Sequence, residues 1–162
     1  MKNKTEVERR SDRELVATRT INGPARLVFQ AWTTPELFTR WWVPKSFAVS
    51  LVACDMDVRV GGKYRLAFDT GAATPMEFFG RYLEVTPCSR LAWTNEEGEE
   101  GGPVTTVTFE EKDGKTRVVM SDLYPSKEAL DAAIASGSTG AVPEQLEELE
   151  VVVLGLASSA AS

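Results

Sequence analysis

The sequence predicts an α+β domain in which a curved antiparallel sheet wraps around a long C-terminal helix. Three observations predict this class: two short helices follow the first strand, about six further strand-like segments come next, and the only long amphipathic helix comes last. A curved sheet must cover its concave face, and the last helix is the segment suited to do so. Because a helix is narrower than such a trough, we expect a cavity between the two.

The first strand and the two short helices are marked by composition and by proline. Residues 14–21 have strand composition and end at a turn sequence before Pro24. Pro24 suits the first position of a helix, where its missing N–H costs nothing. Apolar side chains then recur at helical spacing up to Trp32. Thr34, followed by a proline, is expected to cap a second short helix that Pro44 ends.

Strand patterns fill the middle of the chain. Apolar and polar residues alternate over residues 64–69, which is the period of a half-buried strand. Gly61-Gly62 and Asp113-Gly114 are hairpin signals. The strands are predicted at residues 48–58, 64–69, 77–85, 90–94, 104–111 and 115–122.

The C-terminal part reads as two helices. Ser126 is expected to cap a helix over residues 127–135, and the segment 137–140 interrupts it. Pro143 then opens the longer helix, whose apolar residues recur at spacings of three and four. Since glycine relaxes the backbone at the interruption, we expect residues 137–140 to form a gate to the cavity.

The composition excludes several functions. Lys and Arg number 18 and Asp and Glu number 24, so the net charge of −6 disfavours nucleic acid and anionic membranes as partners. The chain has no histidine, which removes histidine-based triads and histidine-ligated metal sites. We therefore expect neither a metal nor another cofactor.

A single domain accounts for the 162 residues. We expect it to span residues 14–157, between a flexible N-terminal segment, 1–13, and a flexible tail, 158–162. The N-terminus lacks an apolar signal segment, and the longest apolar run, 151–157, is too short for a membrane helix. A cytoplasmic location is therefore expected.

Five sequence blocks, in order, resemble one known family. They include Ala31-Trp32-Thr33-Thr34-Pro35-Glu36-Leu37, Val58-Arg59-Val60-Gly61-Gly62-Lys63-Tyr64 and Gly80-Arg81-Tyr82-Leu83-Glu84-Val85-Thr86-Pro87. Two further blocks cover residues 104–109 and 136–149. Together they resemble proteins similar to the activator of the heat-shock-protein-ninety ATPase. These belong to the SRPBCC, or START-like, superfamily, which includes the birch pollen allergen.

The resemblance implies a helix-grip fold, with an antiparallel sheet of about seven strands around the C-terminal helix and an internal cavity. Relatives use this cavity for lipids, sterols, polyketides and other apolar molecules, and some are cyclases or hydroxylases. The resemblance also implies an alternative function, that of a protein-interaction module similar to the chaperone-ATPase activators. Fold alone does not decide between these functions.

We predict that the cavity binds an apolar or amphipathic small molecule, lipid-like or polyketide-like. Aromatic side chains offer large apolar contacts, and Trp and Tyr add a polar group. Core packing is the alternative explanation for the same side chains. Trp41 and Trp42 point to different sides of one helix, so we expect one to pack inward and the other to border the cavity. The predicted lining residues are Trp42, Tyr64, Leu66, Phe68, Phe78, Trp93, Met120 and Leu146.

Carboxylates are the candidate catalytic groups. Glu77 and Glu84 lie on one predicted strand at an odd spacing, so we expect them on opposite faces. One of them could face the cavity and act as the acid or base of a cyclase-type enzyme. The sequence leaves open whether the chain catalyses a reaction. Asp55 and Asp57 share a strand face and suit ion pairs better than a metal site.

Three further features receive structural interpretations. Cys54 and Cys88 are expected to be reduced, with a bridge between them as the alternative. The acidic loop 95–103 is expected to be solvated. The last helix carries an apolar stripe broader than one core seam needs, so a homodimer is a further alternative. This stripe comprises Leu149, Val151, Val152, Val153 and Leu156.

Overall fold

A computed structural model describes residues 5–43, 50–69, 71, 73, 76–96, 103–136 and 142–161. It confirms an α+β fold with a curved antiparallel sheet and a long C-terminal helix. The strands are β1 (Glu6–Arg9), β2 (Glu14–Ile21), β3 (Ser50–Met56), β4 (Lys63–Asp69), β5 (Met76–Thr86), β6 (Arg90–Thr94), β7 (Val104–Lys112) and β8 (Lys115–Leu123). The helices are α1 (Ala25–Thr33), α2 (Pro35–Phe38), α3 (Lys127–Ser136) and α4 (Val142–Ala161).

The sheet order is β1-β2-β8-β7-β6-β5-β4-β3, and every neighbouring pair is antiparallel. The chain leaves β2 through α1 and α2 and enters β3 at the opposite edge of the sheet. From β3 to β8 each strand pairs with the next one in sequence. No helix in the described part of the chain is long and apolar enough to cross a membrane.

Strand β1 is an element that the sequence analysis did not predict. Residues 6–9 pair with β2 from Glu6 opposite Thr18 to Arg9 opposite Leu15, so the sheet has eight strands instead of about seven. All four β1 residues are exposed. The sequence here lacks the alternation of apolar and polar residues that predicts a half-buried strand. Polar contacts hold it instead, including the ion pair of 2.7 Å between Arg9 Nη2 and Asp131 Oδ1.

The helix starts follow the predicted chemistry with one difference. Pro24 occupies the N-cap of α1, one residue before the predicted position, and the N–H of Ala25 donates to Glu111 Oε1 at 2.7 Å. A carboxylate is favourable there because the N-terminus of a helix carries partial positive charge. Ser126 caps α3 as predicted, since its hydroxyl accepts a hydrogen bond from the N–H of Ala129 at 3.1 Å.

One face of the sheet packs against α4 and forms the core. In the β7–β8 pair, Val107 lies opposite Met120, so the two apolar sets of this hairpin lie side by side on the same concave face. On α4, Leu146, Leu149 and Val153 are fully buried against this face. The sets from the hairpin are Thr105, Val107 and Phe109 on β7 and Thr116, Val118 and Met120 on β8.

The apolar stripe of α4 divides into a buried and an exposed part. Leu149, Val152 and Val153 belong to the core, whereas Val151 is 65% exposed. The turn after β2 approaches the buried part closely, because a Cβ at Gly23 would lie 2.5 Å from Val153 Cγ1. Most of the stripe therefore serves the core of the domain itself.

Candidate functional site on the concave face

All eight predicted lining residues lie in one apolar cluster between the sheet and α4. Six of them are buried, and Trp42 and Phe78 are half-buried against the others. The structure thus brings together side chains from four strands, β4, β5, β6 and β8, and from two further segments, α4 and the residues after α2. Both a ligand-binding surface and a packed core contain such an apolar cluster. The polar groups beside the cluster therefore decide between these two interpretations.

An aromatic group lies where α1 and the segment after α2 meet the sheet. The ring centre of Trp32 lies 4.6 Å from that of Trp41 and 5.6 Å from that of Trp93. Trp41 is fully buried, and its indole N–H donates to the carbonyl of Ala31 at 3.0 Å. Trp42 is half-buried at the rim. The two adjacent tryptophans therefore differ in depth, as expected.

The indole of Trp32 holds a buried donor with no acceptor. The side chain is only 2% exposed, and within the described part of the structure its Nε1 has no hydrogen-bond partner. Leaving a buried donor unpaired costs about 1–3 kcal/mol. Sequence periodicity placed Trp32 on the buried face of α1 but could not show this, because the acceptor would have to come from elsewhere in the fold.

Asp122 is a second polar group on the concave face, and the sequence analysis missed it. It lies on β8 opposite Leu15 of β2 and Thr105 of β7. The hydroxyl of Thr105 donates to its Oδ1 at 2.5 Å. Burial raises the pKa of Asp122 from 3.8 to about 6, against the lowering effect of that hydrogen bond. The available signal was its spacing of two from Met120, which puts both on one face.

A small void adjoins Asp122. Its volume, about 10 Å³, suits a group the size of one water molecule. Apart from Asp122 its walls are apolar, and they come from β1, β2, β8 and the first turn of α4. The lining residues are Val7, Leu15, Ala17, Met120, Asp122 and Val142.

A short chain of hydrogen bonds supports the carboxyl group. Asn95 Nδ2 donates to Thr105 Oγ1 at 3.1 Å and to the carbonyl of Pro103 at 2.6 Å. Because the oxygen of Thr105 accepts from Asn95, its own proton is directed to Asp122. The concave face therefore has a polar end at Asp122 and an aromatic group at Trp32.

Glu77 and Glu84 both lie on the outer face of the sheet, which corrects the expectation that they face opposite ways. A bulge in β5 between Tyr82 and Glu84 inserts an extra residue, so an odd spacing returns to the same face. Glu77 forms an ion pair with Arg65, and Glu84 forms one with Arg90 at 2.9 Å. Neither carboxylate therefore faces α4 across the concave side of the sheet.

The other sequence candidates have structural partners. Asp57 pairs with Arg59 at 2.8 Å. Asp55 Oδ2 lies 3.9 Å from a nitrogen of Arg65. Both side chains of the first pair are largely exposed, so the predicted ion pairing accounts for these aspartates. The expected gate at residues 137–140 lies outside the described residues, as do residues 97–102 of the acidic loop.

Both cysteines are free, as predicted. Cys54 is half-buried, and burial, then the neighbouring charges of Asp55 and Glu36, raises the pKa of its thiol to about 11. The thiol is therefore protonated at neutral pH and does not act as a nucleophile there.

An antiparallel sheet curved around a C-terminal helix, with two short helices after the first long strand, defines a helix-grip protein. Residues 22–153 match the family described as Activator of Hsp90 ATPase homolog 1-like protein, and the chain belongs to this family. This confirms the resemblance seen in the five sequence blocks. No curated protein matches the chain in sequence.

Solved structures show the same fold at low identity. A protein from Rhodobacter sphaeroides is 21% identical with a TM-score of 0.83, over 94% of this chain and 99% of that one. A protein from Nitrosomonas europaea is 21% identical with a TM-score of 0.81, over 91% and 98%. Protein Ms6760 from Mycobacterium smegmatis is 20% identical with a TM-score of 0.78, over 94% and 99%. At these identities the likeness shows the fold alone.

Proposed function

We propose that the chain binds an apolar or amphipathic small molecule between the concave face and α4. The observation that carries this proposal is the unpartnered indole N–H of Trp32, buried in the aromatic group. A core that serves only stability gains nothing from an unpaired donor, since an apolar ring of similar size would avoid the cost. A ligand acceptor placed beside this N–H would pair it while the surrounding rings cover the ligand's apolar part.

The expected affinity follows from the area that a ligand would bury. Burial of about 300 Å² of apolar ligand surface corresponds to a gross gain of roughly 7 kcal/mol at 25 cal/mol/Å². Association entropy and the opening of the cluster offset part of this gain. Dissociation constants of roughly tens to hundreds of micromolar are therefore expected for a ligand of that size.

Intrinsic fluorescence provides a direct test. The chain has four tryptophans, Trp32, Trp41, Trp42 and Trp93, and all of them lie in or against the buried cluster. A change in emission therefore reports on the surroundings of this cluster, and saturation of the change identifies binding. We expect saturable changes with at least one of dodecanol, dodecanoate, dodecylamine and 2-naphthol, matched by calorimetric titration. No heat and no emission change with all four probes would overturn the proposal.

Two variants locate the site. Trp32→Phe keeps an aromatic ring but removes the N–H. We expect this substitution to lower the affinity for the tightest-binding probe that accepts a hydrogen bond about tenfold. Phe79→Ala is the control, because Phe79 is 41% exposed, on the outer face of β5. The control should leave affinity unchanged. Equal effects of the two substitutions would remove the concave face as the binding site.

A second candidate function is a protein-interaction module that stimulates a chaperone ATPase. The family description, which names an ATPase activator, favours it. The test is the ATPase rate of the purified chaperone with and without this chain. A rate increase that saturates at micromolar chain supports this function, whereas an unchanged rate together with no complex in size-exclusion chromatography discards it.

A further inference from the structure

We propose that Asp122 binds the head group of the amphipathic ligand, and that this head group is a hydrogen-bond donor with positive charge, such as a primary ammonium. The inference rests on the proposed function and adds the chemical class of the ligand. At the polar end of the concave face, the carboxyl group of Asp122 borders a void.

Asp122 accepts one hydrogen bond from the described residues. An ionised carboxylate offers about four acceptor positions. Among the described residues, the hydroxyl of Thr105 is the hydrogen-bond donor to Asp122, and no lysine or arginine forms an ion pair with it. Acceptor positions therefore stay available for a ligand.

The void beside Asp122 has the size of a small polar group. Its volume of about 10 Å³ suits an ammonium or hydroxyl group. Met120 lines the void and also belongs to the buried cluster that holds the predicted lining residues. A ligand with its head group at Asp122 would therefore run its apolar part past Met120 toward that cluster.

Asp122 lies among uncharged side chains. The groups that face Asp122 are Val7 on β1, Leu15 and Ala17 on β2, Thr105 on β7, Met120 on β8 and Val142 on α4. None of these titrates. Tyr124 interacts electrostatically with Asp122 and is neutral, because burial, and then Asp122, raise the pKa of its hydroxyl to about 12. Near pH 7.5 the Asp122 carboxylate is charged, so it attracts an ammonium and repels a second carboxylate.

Three probes with the same alkyl chain test the inference, each below its micelle concentration. At pH 7.5 the wild-type chain should bind dodecylamine about tenfold more tightly than dodecanoate, with dodecanol between them. Asp122→Asn should abolish this preference. The matched control is Glu77→Gln, which removes the same formal charge from the outer face and should preserve the preference.

A pH series on the wild-type chain gives a readout that does not depend on any variant folding. Affinity for dodecylamine should rise between pH 5 and pH 7.5, as Asp122 loses its proton while the amine stays protonated. Equal wild-type affinities for amine and carboxylate, or the same loss of preference in Glu77→Gln, would overturn this inference and leave the proposed function intact. If no probe binds at all, both proposals fail.

Discussion

Two carboxyl groups lie between the sheet and α4, and they differ in the number of hydrogen-bond donors around them. Glu150 on α4 accepts hydrogen bonds from Arg19 Nη2 at 2.7 Å and from the backbone N–H of Asn22 at 2.9 Å. Asp122 on β8 has one donor among the described residues, the hydroxyl of Thr105. The same chemical group therefore fixes a helix in place where it has several internal donors, and keeps acceptor positions open where it has one.

The end of the trough near Glu150 is held by several polar contacts. Thr116, which is fully buried, donates to the carbonyl of Gly23 at 2.8 Å, and Glu111 accepts the first N–H of α1. Together with the ion pair these contacts fix the turn between β2 and α1 against α4. The Asp122 end has a void where this end has close contacts.

The largest expected effect comes from breaking the buried ion pair. The side chains of Arg19 and Glu150 are 7% and 10% exposed, so Glu150→Gln leaves a buried guanidinium without a counter-charge. We expect a loss of about 3–5 kcal/mol in the free energy of unfolding, measured by urea denaturation. The double variant Arg19→Met with Glu150→Leu should recover at least half of it. A single-variant loss below about 1 kcal/mol would contradict the role assigned to the pair.

The next effect concerns Asp122 and has the opposite sign. Its pKa is about 6 in the folded chain against an ordinary 3.8, so the folded state binds more protons between these values and stability falls as pH rises. Asp122→Asn removes this penalty. We subtract the free energy of unfolding of the wild type from that of the variant. This difference should increase by about 2 kcal/mol from pH 4.5 to pH 7.5. A difference that stays constant with pH would show that the carboxyl is not desolvated.

A smaller effect tests how tightly the Glu150 end is packed. Gly23→Ala would place a Cβ 2.5 Å from Val153 Cγ1, on a short and stiff side chain. We expect a loss of about 1–2 kcal/mol in thermal or urea unfolding. The control is Gly155→Ala in the exposed part of α4, where a Cβ meets nothing within 4 Å. The control should gain about 0.5–1 kcal/mol from helix propensity.

The smallest effects are expected on the outer face. Glu77→Gln and Glu84→Gln each break an exposed ion pair, with Arg65 and Arg90 respectively. Each should change the free energy of unfolding by less than about 1 kcal/mol and leave probe binding unchanged. A tenfold loss of binding in either variant would place the site on the outer face and refute the assignment to Asp122.

The fold was accessible from the sequence because its signals are local. The strand over residues 14–21, the hairpin at Asp113-Gly114 and the cap at Ser126 all appear as predicted. Each depends on periodicity or turn chemistry within about ten residues. Ordered sequence blocks then identified the family over residues 22–153.

The polar features of the site were not accessible because they depend on tertiary placement. The bulge after Tyr82 changes which face of the sheet Glu84 occupies. No residue type in β5 predicts this bulge. The unpaired N–H of Trp32 depends on acceptors from other elements. Asp122 did follow the two-residue alternation of its strand, but a carboxylate on an apolar face contradicts the usual pattern.

Strand β1 has a consequence for the behaviour of the chain in concentrated solution. It covers the outer edge of β2, whose residues Leu15, Val16 and Ala17 are buried, and it presents charged side chains such as Glu6 and Glu8 to solvent. Without that cover, β2 would be an apolar strand edge able to pair with another molecule. The short polar strand therefore protects the chain from aggregation through edge-to-edge pairing.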